Sequence, residues 1–271
     1  MANESRSAPH PSAPPEPAEL GELTDDAITG SFRIWQRKHG HRYSLDDVIT
    51  AFEAARAAPD ATHCLDLGTG IGSVLLMLAY KLEAARFCAV EAQANSFRLL
   101  QDNVARNALS ARVTLVNGDL RDSVGQATLA GPFDLITGTP PYVPPGQATP
   151  STDAQRAYAR QEYRGGVEAY LSAAKPVLAP EGKLVVCADA RFPERVTDFG
   201  QSLGLHVMRK LDVVPRADTK GPLFSVFTLV HEQAAATSEI AHDSFIARTA
   251  EGARSQAYLD LRAFFGLPPR F

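Results

Sequence analysis

A carboxylate followed by three alternating glycines is the first group of residues that points to chemistry. An apolar run ends in Asp66; Gly68, Gly70 and Gly72 follow, and a helical pattern covers residues 73–81. Glycine permits a sharp turn and the close approach of a ligand, and the next helix opens with unpaired N–H groups. The spacing is not the G-x-G-x-x-G of dinucleotide-binding turns. It predicts a ligand site, although a tight βα turn without any ligand has the same appearance.

Two further acids stand at the ends of the next predicted strands. Glu91 closes the strand at 86–90, and Asp119 follows the strand at 113–116. A carboxylate at the end of the second strand can accept two hydrogen bonds from ribose hydroxyls in nucleoside-binding sheets. The alternatives are an exposed strand-end Glu91 and an Asp119 that serves as a turn residue.

A second motif, Thr139-Pro140-Pro141-Tyr142, follows the predicted strand at 133–137. The paired prolines cannot continue a central strand, so they force a stiff extended loop. This places Tyr142 at the carboxyl edge of the sheet, where open α/β sheets bind substrates. The connection that follows, residues 143–165, reads as long and flexible; connections of that length are often functional. A proline-rich turn before a mobile loop is the alternative.

The segment before the first motif is rich in cations and aromatic residues. It contains the single tryptophan, Trp35, together with Tyr43 and four basic residues: Arg33, Arg37, Lys38 and Arg42. Ser44 is a candidate N-cap for a helix that runs to about residue 58. This interleaving favours phosphate binding, whereas on charge content alone a solvated loop is the commoner case.

From residue 63 strands and helices alternate, which predicts a parallel sheet covered by helices on both faces. Two consecutive strands, 206–214 and 223–230, end the alternation. We divide the chain into a disordered Pro-rich tail (1–25), a helical and basic segment (26–60), an α/β domain (61–231) and a helical extension (232–271), on composition and pattern.

Composition limits the partners. The net charge is −4 and the pI about 6.0, which argues against a broadly basic nucleic-acid coat but not against a local patch. The three cysteines lie in predicted strands without metal-ligand spacing. No signal peptide or membrane-spanning run is recognisable. We therefore expect a cytoplasmic protein without a metal, as a monomer or small homo-oligomer.

Taken together, the motifs resemble class I S-adenosylmethionine-dependent methyltransferases that methylate amino groups. The upstream run Gln36-x-x-x-Gly40-x-Arg42-Tyr43-Ser44-Leu45-Asp46 is similar to the same segment in bacterial tRNA(Val) (adenine-N6)-methyltransferases. The resemblance implies a Rossmann-like fold, with a mostly parallel seven-stranded sheet whose last strand is reversed. It also implies S-adenosyl-L-methionine as cofactor and tRNA as partner.

The resemblance carries roles onto particular residues. Asp66 would contact the cationic ligand, Glu91 the ribose and Asp119 the adenine amino group. The cofactor-binding set is Gln36, Tyr43, Ser44, Asp66, Gly68, Thr69, Gly70, Gly72, Glu91, Asp119 and Thr139. The catalytic set is Thr139, Pro140, Pro141 and Tyr142. The RNA-binding set is Arg33, Arg37, Lys38, Arg42, Arg160 and Arg164.

One residue departs from that family's pattern. Thr139 stands where the family has Asn, whose side-chain oxygen and a neighbouring proline carbonyl accept the two hydrogens of the substrate amine. The Thr139 hydroxyl can accept a hydrogen bond but can also rotate to donate one. Three interpretations therefore stay open: an adenine-N6 tRNA methyltransferase, an N-methyltransferase acting on a protein glutamine or a small amine, and a non-catalytic cofactor-binding subunit.

Overall fold

The computed structural model describes residues 19–123, 129, 131–235 and 239–269. It opens with an antiparallel hairpin of β1 (Leu23–Ala27) and β2 (Arg33–Arg37), in which Asp25 lies opposite Trp35. The prediction of a disordered tail to residue 25 and a helical segment from 26 is wrong for this hairpin. Cross-strand hydrogen bonds and ion pairs order it, and neither is visible in local composition. Residues 1–18 of the predicted tail lie outside the described part.

The remaining elements follow the predicted alternation closely. In chain order they are α1 (Leu45–Ala57), β3 (His63–Leu67), α2 (Ser73–Lys81), β4 (Arg86–Glu91), α3 (Ala94–Arg106), β5 (Val113–Asn117), α4 (Leu120–Ser123), β6 (Phe133–Gly138), α5 (Ala154–Arg160), α6 (Val167–Ala174), β7 (Leu178–Asp189), α7 (Glu194–Ser202), β8 (Leu205–Val214), β9 (Phe224–His231), β10 (Ala241–Ile246) and α8 (Gln256–Phe264).

The main sheet has eight strands in the order β10-β8-β9-β7-β6-β3-β4-β5. β9 runs antiparallel to both β7 and β8, and the other pairs are parallel. This confirms the mostly parallel sheet and its reversed seventh strand. The eighth strand, β10, corrects the predicted all-helical extension. Its residues are mostly exposed and lack an apolar alternation, so only pairing with the open edge of β8 makes it a strand.

Two apolar layers cover the sheet, one on each face. Along β7, Leu184 and Val186 pack into the layer with α6 and α7, while Val185 and Cys187 pack into the layer with α1 and α2. Successive side chains of a strand point to opposite faces, so a strand buried on both sides reads as a continuous apolar run. Both layers stop at the carboxyl edge, where the loops that carry the motifs emerge.

The connection after motif Thr139–Tyr142 is ordered, contrary to the prediction of a flexible loop. It contains α5, and its ends are tied together: the Val143 N–H donates to the Arg160 carbonyl at 3.1 Å, and the Glu162 N–H donates to the Val143 carbonyl at 3.0 Å. Backbone pairing across this distance in sequence leaves no local signal. The segment therefore forms a fixed wall beside the motif.

Among the described residues, no helix is both long enough and apolar enough to cross a bilayer.

Candidate active site

The glycines of the turn after β3 are needed for their backbone conformation and, at Gly68, for the lack of a side chain. Gly68 and Gly70 both have φ +59° and Gly72 has φ +91°, the left-handed region that favours glycine. A Cβ on Gly68 would lie 2.1 Å from the Tyr170 hydroxyl oxygen, whereas a Cβ on Gly70 would meet nothing within 4 Å. Gly68 thus makes room for Tyr170, and Gly70 is the position with open space above it.

Asp66 does not face the cavity, and the prediction that it contacts the ligand directly is wrong. It is 1% exposed. One carboxylate oxygen accepts from the Thr69 hydroxyl at 2.5 Å and the other from the Thr137 hydroxyl at 2.7 Å. Burial raises its pKa to about 6, against the opposing effect of these two hydrogen bonds. Asp66 therefore connects the glycine turn, through Thr69, to β6, through Thr137.

Glu91 and Asp119 both line the cavity, and their contacts with the ribose and the adenine amino group stay predictions. The Glu91 carboxylate accepts the Gly70 N–H at 2.8 Å and the Gln93 N–H at 2.6 Å, which ties the end of β4 to the glycine turn. The Asp119 carboxylate accepts from the Arg121 guanidinium at 2.9 and 2.7 Å, and this contact lowers its pKa. An ionised carboxylate offers about four acceptor sites in all.

A single cavity of about 1080 Å³ joins the glycine turn to the Thr139–Tyr142 motif. Its wall includes the four motif residues, both strand-end acids, Tyr170, and residues of the 154–164 segment. A cavity of this size exceeds what one drug-sized ligand occupies. It can hold a nucleoside cofactor and an acceptor group together.

Tyr142 is held by its hydroxyl as well as its ring. The hydroxyl oxygen lies 2.9 Å from the Cys187 sulfur and 3.3 Å from an Asp46 carboxylate oxygen. The ring lies nearly parallel to that of Phe224, with 6.5 Å between centroids and 17° between planes. Burial raises the Tyr142 pKa well above its usual value, so the phenol stays neutral. Its fixed orientation is a result of tertiary packing.

Two acids that were not among the predicted site residues also belong to the cavity. Asp46 and Asp47, in the first turn of α1, line it opposite the motif. Asp47 accepts the Ser44 N–H at 2.9 Å, and the Thr139 hydroxyl donates toward its other oxygen at 3.4 Å. Acids at a helix N-terminus are common for electrostatic reasons alone, so no sequence signal separates these two from ordinary caps.

Three residues before α1 were predicted to bind the cofactor, and the structure places them differently. Tyr43 and Ser44 line the cavity, but Gln36 does not. Gln36 is 1% exposed; its amide nitrogen donates to Asp26 at 3.0 Å and its oxygen accepts the Tyr43 N–H at 3.0 Å. Gln36 thus joins the hairpin to the segment before α1, and its assignment to cofactor binding is corrected to a structural role.

The predicted basic patch is neutralised within the chain. Its four cations form ion pairs at 2.8–2.9 Å: Arg33 with Asp25, Arg37 with Asp153, Lys38 with Glu22 and Arg42 with Asp26. Two of the partners, Asp25 and Asp26, lie on β1, and Glu22 directly precedes it. Glu22 and Asp25 fall in the predicted disordered tail. Arg42 still lines the cavity, but the prediction of a patch of four phosphate-binding cations is not supported.

A different group of cations surrounds the cavity mouth. Arg156, Arg160 and Arg164 line it, and the first two are exposed. The Arg164 guanidinium stacks on the Tyr158 ring at 4.1 Å from its centroid. Within the described ranges, no group of three or more metal-ligating side chains converges.

The fold and cavity together define a class I methyltransferase. A solved structure described as a predicted O-methyltransferase from Agrobacterium tumefaciens superposes with a TM-score of 0.61 at 16% identity, and the match covers 82% of this chain and 98% of that one. Residues 47–208 match the model of the methyltransferase small domain family, and this chain belongs to that family. Family membership implies S-adenosylmethionine as methyl donor.

Two relatives carry a more specific name. A tRNA1(Val) (adenine(37)-N6)-methyltransferase of Porphyromonas gingivalis is 33% identical over 166 residues, which is 60% of this chain and 64% of the relative. The enzyme of the same name from Citrobacter koseri is 31% identical over 209 residues, 76% of this chain and 81% of the relative. The chain thus spans slightly less than two thirds of the Porphyromonas protein and more of the Citrobacter protein.

Proposed function

We propose that this protein transfers a methyl group from S-adenosylmethionine to N6 of an adenosine in tRNA. The observation that carries this proposal is the single cavity that joins the glycine turn to the Thr-Pro-Pro-Tyr motif. A planar amino-bearing base and a methyl donor must meet at such a junction for direct transfer. The names of the relatives from Porphyromonas and Citrobacter support adenine in tRNA as the acceptor.

The residues present fit the cofactor. Gly70 leaves open space where a ligand must approach the backbone, and the Glu91 carboxylate is fixed beside it. In our proposal Glu91 accepts the ribose hydroxyls, and Asp119 accepts from the adenine amino group. Gly68 and Gly72 shape the turn, and Thr69 holds it to Asp66. When bound, the cofactor supplies an electrophilic methyl group on a sulfonium.

The acceptor side must orient a weakly nucleophilic amine. The lone pair of an exocyclic adenine nitrogen is delocalised into the ring, so the site gains by accepting both N–H hydrogens and aligning the nitrogen with the methyl group. In our proposal the Pro140 carbonyl and the Thr139 oxygen are these acceptors, Pro141 keeps the loop extended, and Tyr142 stacks on the base. Orientation of this kind supplies much of the barrier reduction in bimolecular transfer.

The charges of the cavity are divided in a way that suits RNA. Asp47 and Glu91 are 8% exposed and lie deep, where a cationic cofactor belongs. Arg156 and Arg160 are exposed at the mouth, where phosphates of an RNA loop would pass. Unstacked bases of single-stranded loops enter such pockets at small energetic cost.

The test is methyl transfer to unmodified tRNA transcripts, with the product nucleosides identified by mass spectrometry after digestion. We expect N6-methyladenosine in the valine-specific transcript that carries an anticodon-loop adenosine, and none when that adenosine is replaced by guanosine. A release-factor peptide that contains an acceptor glutamine serves as the comparison substrate. Methylation of the peptide alone, or of no acceptor, would overturn the proposal.

A further inference from the structure

A buried carboxylate faces the residue that departs from the family motif. The Thr139 hydroxyl oxygen lies 3.4 Å from Oδ1 of Asp47, and both residues line the cavity. Asp47 is 8% exposed, and its Oδ2 accepts the Ser44 N–H at 2.9 Å. The Ser73 hydroxyl, at the start of α2, also donates to this carboxylate. Asp47 is thus held from two elements, with one oxygen directed at Thr139.

The helix cap does not account for both oxygens. A capping contact from the third helical residue to the N-cap backbone uses one acceptor atom, and Oδ2 provides it. Thr139 lies against the other oxygen, Oδ1. The separation of 3.4 Å is long for an O–H···O hydrogen bond, but contacts of this kind often tighten when the substrate binds.

The chemistry of the pair removes the ambiguity of a threonine hydroxyl. An ionised carboxylate can only accept hydrogen bonds, so Thr139 must donate its one proton to Asp47. Its oxygen lone pairs are then available to the cavity. We propose that Asp47 is a positioning residue that fixes the Thr139 hydroxyl as an acceptor for the substrate amine, in place of an asparagine oxygen. This inference rests on the proposed amino-methyltransferase function.

The pairing makes methyl transfer sensitive to pH. The Asp47 pKa is raised to about 7, chiefly by burial and also by the negative charges of Asp46 on α1 and Asp66 on β3, against the opposing hydrogen bonds from Ser44 and Ser73. The other titratable groups near this pair of acids are His41, Tyr142 and Cys187; burial favours the neutral form of each. Below its pKa the Asp47 carboxyl can itself donate a hydrogen bond, so it no longer fixes the Thr139 hydroxyl as the donor of the pair. The rate should therefore fall as pH drops through this midpoint.

Single-turnover rates on the tRNA substrate test the role in positioning. We expect Thr139→Val to lower the single-turnover rate constant about tenfold or more, while Thr139→Ser, which keeps the hydroxyl, retains most of it. Asp47→Asn should lower the same rate constant and flatten its pH dependence between pH 6 and 8. In a Thr139→Val background Asp47→Asn should cost little more, because contacting residues are non-additive. Additive effects, or an unchanged pH profile in Asp47→Asn, would overturn the proposal.

A second measurement does not depend on the acceptor. In protein labelled with ¹³C at the Asp carboxyl carbons, the Asp47 midpoint is read by NMR in the parent, in Thr139→Val and in Thr149→Val, a control that lines the same cavity. The Thr139 hydroxyl donates a hydrogen bond to the ionised Asp47 carboxylate. Its removal should therefore raise the Asp47 titration midpoint in Thr139→Val, and the midpoint in Thr149→Val should stay that of the parent. An equal Asp47 midpoint in all three proteins would overturn the proposed hydrogen bond between Thr139 and Asp47. The expected shift together with no tRNA methylation would overturn only the proposed function.

Discussion

At the scale of single residues, the acid of the first motif stabilises the site without lining it. The Asp66 carboxylate binds two hydroxyls, on Thr69 and Thr137, and is shielded from the cavity. A buried carboxylate that satisfies two donors holds the glycine turn at a fixed distance from β6. Its effect on the ligand is therefore indirect, through the shape of the turn.

We expect Asp66→Ala to destabilise the fold as well as weaken cofactor binding. The substitution leaves two buried hydroxyls without their acceptor, which costs roughly 1–3 kcal/mol in the free energy of unfolding. Denaturant unfolding followed by circular dichroism measures the change, with Asp60→Ala at an exposed position as the control. Lost cofactor binding with fully retained stability would contradict this role.

The ribose role proposed for Glu91 leads to a different result. Glu91→Gln should weaken S-adenosylmethionine binding by roughly 10- to 150-fold, because a hydrogen bond to a charged acceptor is worth roughly 1.5–3 kcal/mol. Calorimetric titration measures the affinity, and Glu22→Gln, which changes an acid that precedes β1 and does not line the cavity, is the matched control. An unchanged dissociation constant would reduce Glu91 to a brace for the Gly70 and Gln93 amides.

At the scale of elements, side chains of α3 hold the N-terminal hairpin beside the domain. Asn103 accepts the Trp35 N–H at 2.7 Å and donates to the Trp35 carbonyl at 3.1 Å. Asn107 makes the same pair of contacts with Arg33, at 2.9 and 2.8 Å. These residues lie four apart on one helix face and meet alternate residues of a strand. The two asparagines thus complete the hydrogen bonds on the outer edge of β2.

Asn103→Ala should loosen the hairpin more than Asn107→Ala does. Asn103 is fully buried, so its loss strands polar backbone groups away from water, whereas the Asn107 contacts are exposed. The fluorescence of Trp35, the single tryptophan, and amide exchange across residues 23–37 provide the measurement. Equal effects of the two substitutions would show that burial does not decide the strength of this attachment.

At the scale of the whole molecule, ion pairing decides which cations remain for a partner. A net charge of −4 coexists with exposed arginines at the cavity mouth, because the cations of the hairpin region are paired with acids of the same chain. Exposed ion pairs contribute little to stability, but they reduce the charge that a phosphate meets. The arginines of the 154–164 segment are therefore the better candidates for RNA contacts.

We expect the combined substitution of Arg160 and Arg164 by Ala to weaken tRNA binding and flatten its salt dependence. Each lost phosphate contact removes roughly 0.7–0.9 from the slope of log affinity against log salt. The matched control replaces Arg33 and Lys38, which are paired with Asp25 and Glu22. Filter binding over a range of salt concentrations measures both slopes. A larger loss of tRNA affinity in the control would indicate that the RNA contacts lie in the hairpin region.

The sequence by itself determined the class of fold and the positions of its motifs. Alternating strand and helix patterns predict a parallel sheet, and loops at its carboxyl edge must meet there whatever the packing. For this reason the glycine turn, Glu91, Asp119 and the Thr-Pro-Pro-Tyr motif were located correctly. Each of these signals is local: a residue type at a strand end or in a tight turn.

Only the tertiary structure decided which side chains face the cavity. Asp66 points away from it, Asp47 points into it, and the basic residues of β2 are paired with acids of the same chain, Arg33 with Asp25 and Arg37 with Asp153. The strand β10 exists because β8 has an edge to pair with. Each of these outcomes depends on contacts between residues far apart in the chain or on the orientation of a packed element. Composition and spacing do not encode such contacts, because the same residues serve as caps, turns or ligands depending on what packs against them.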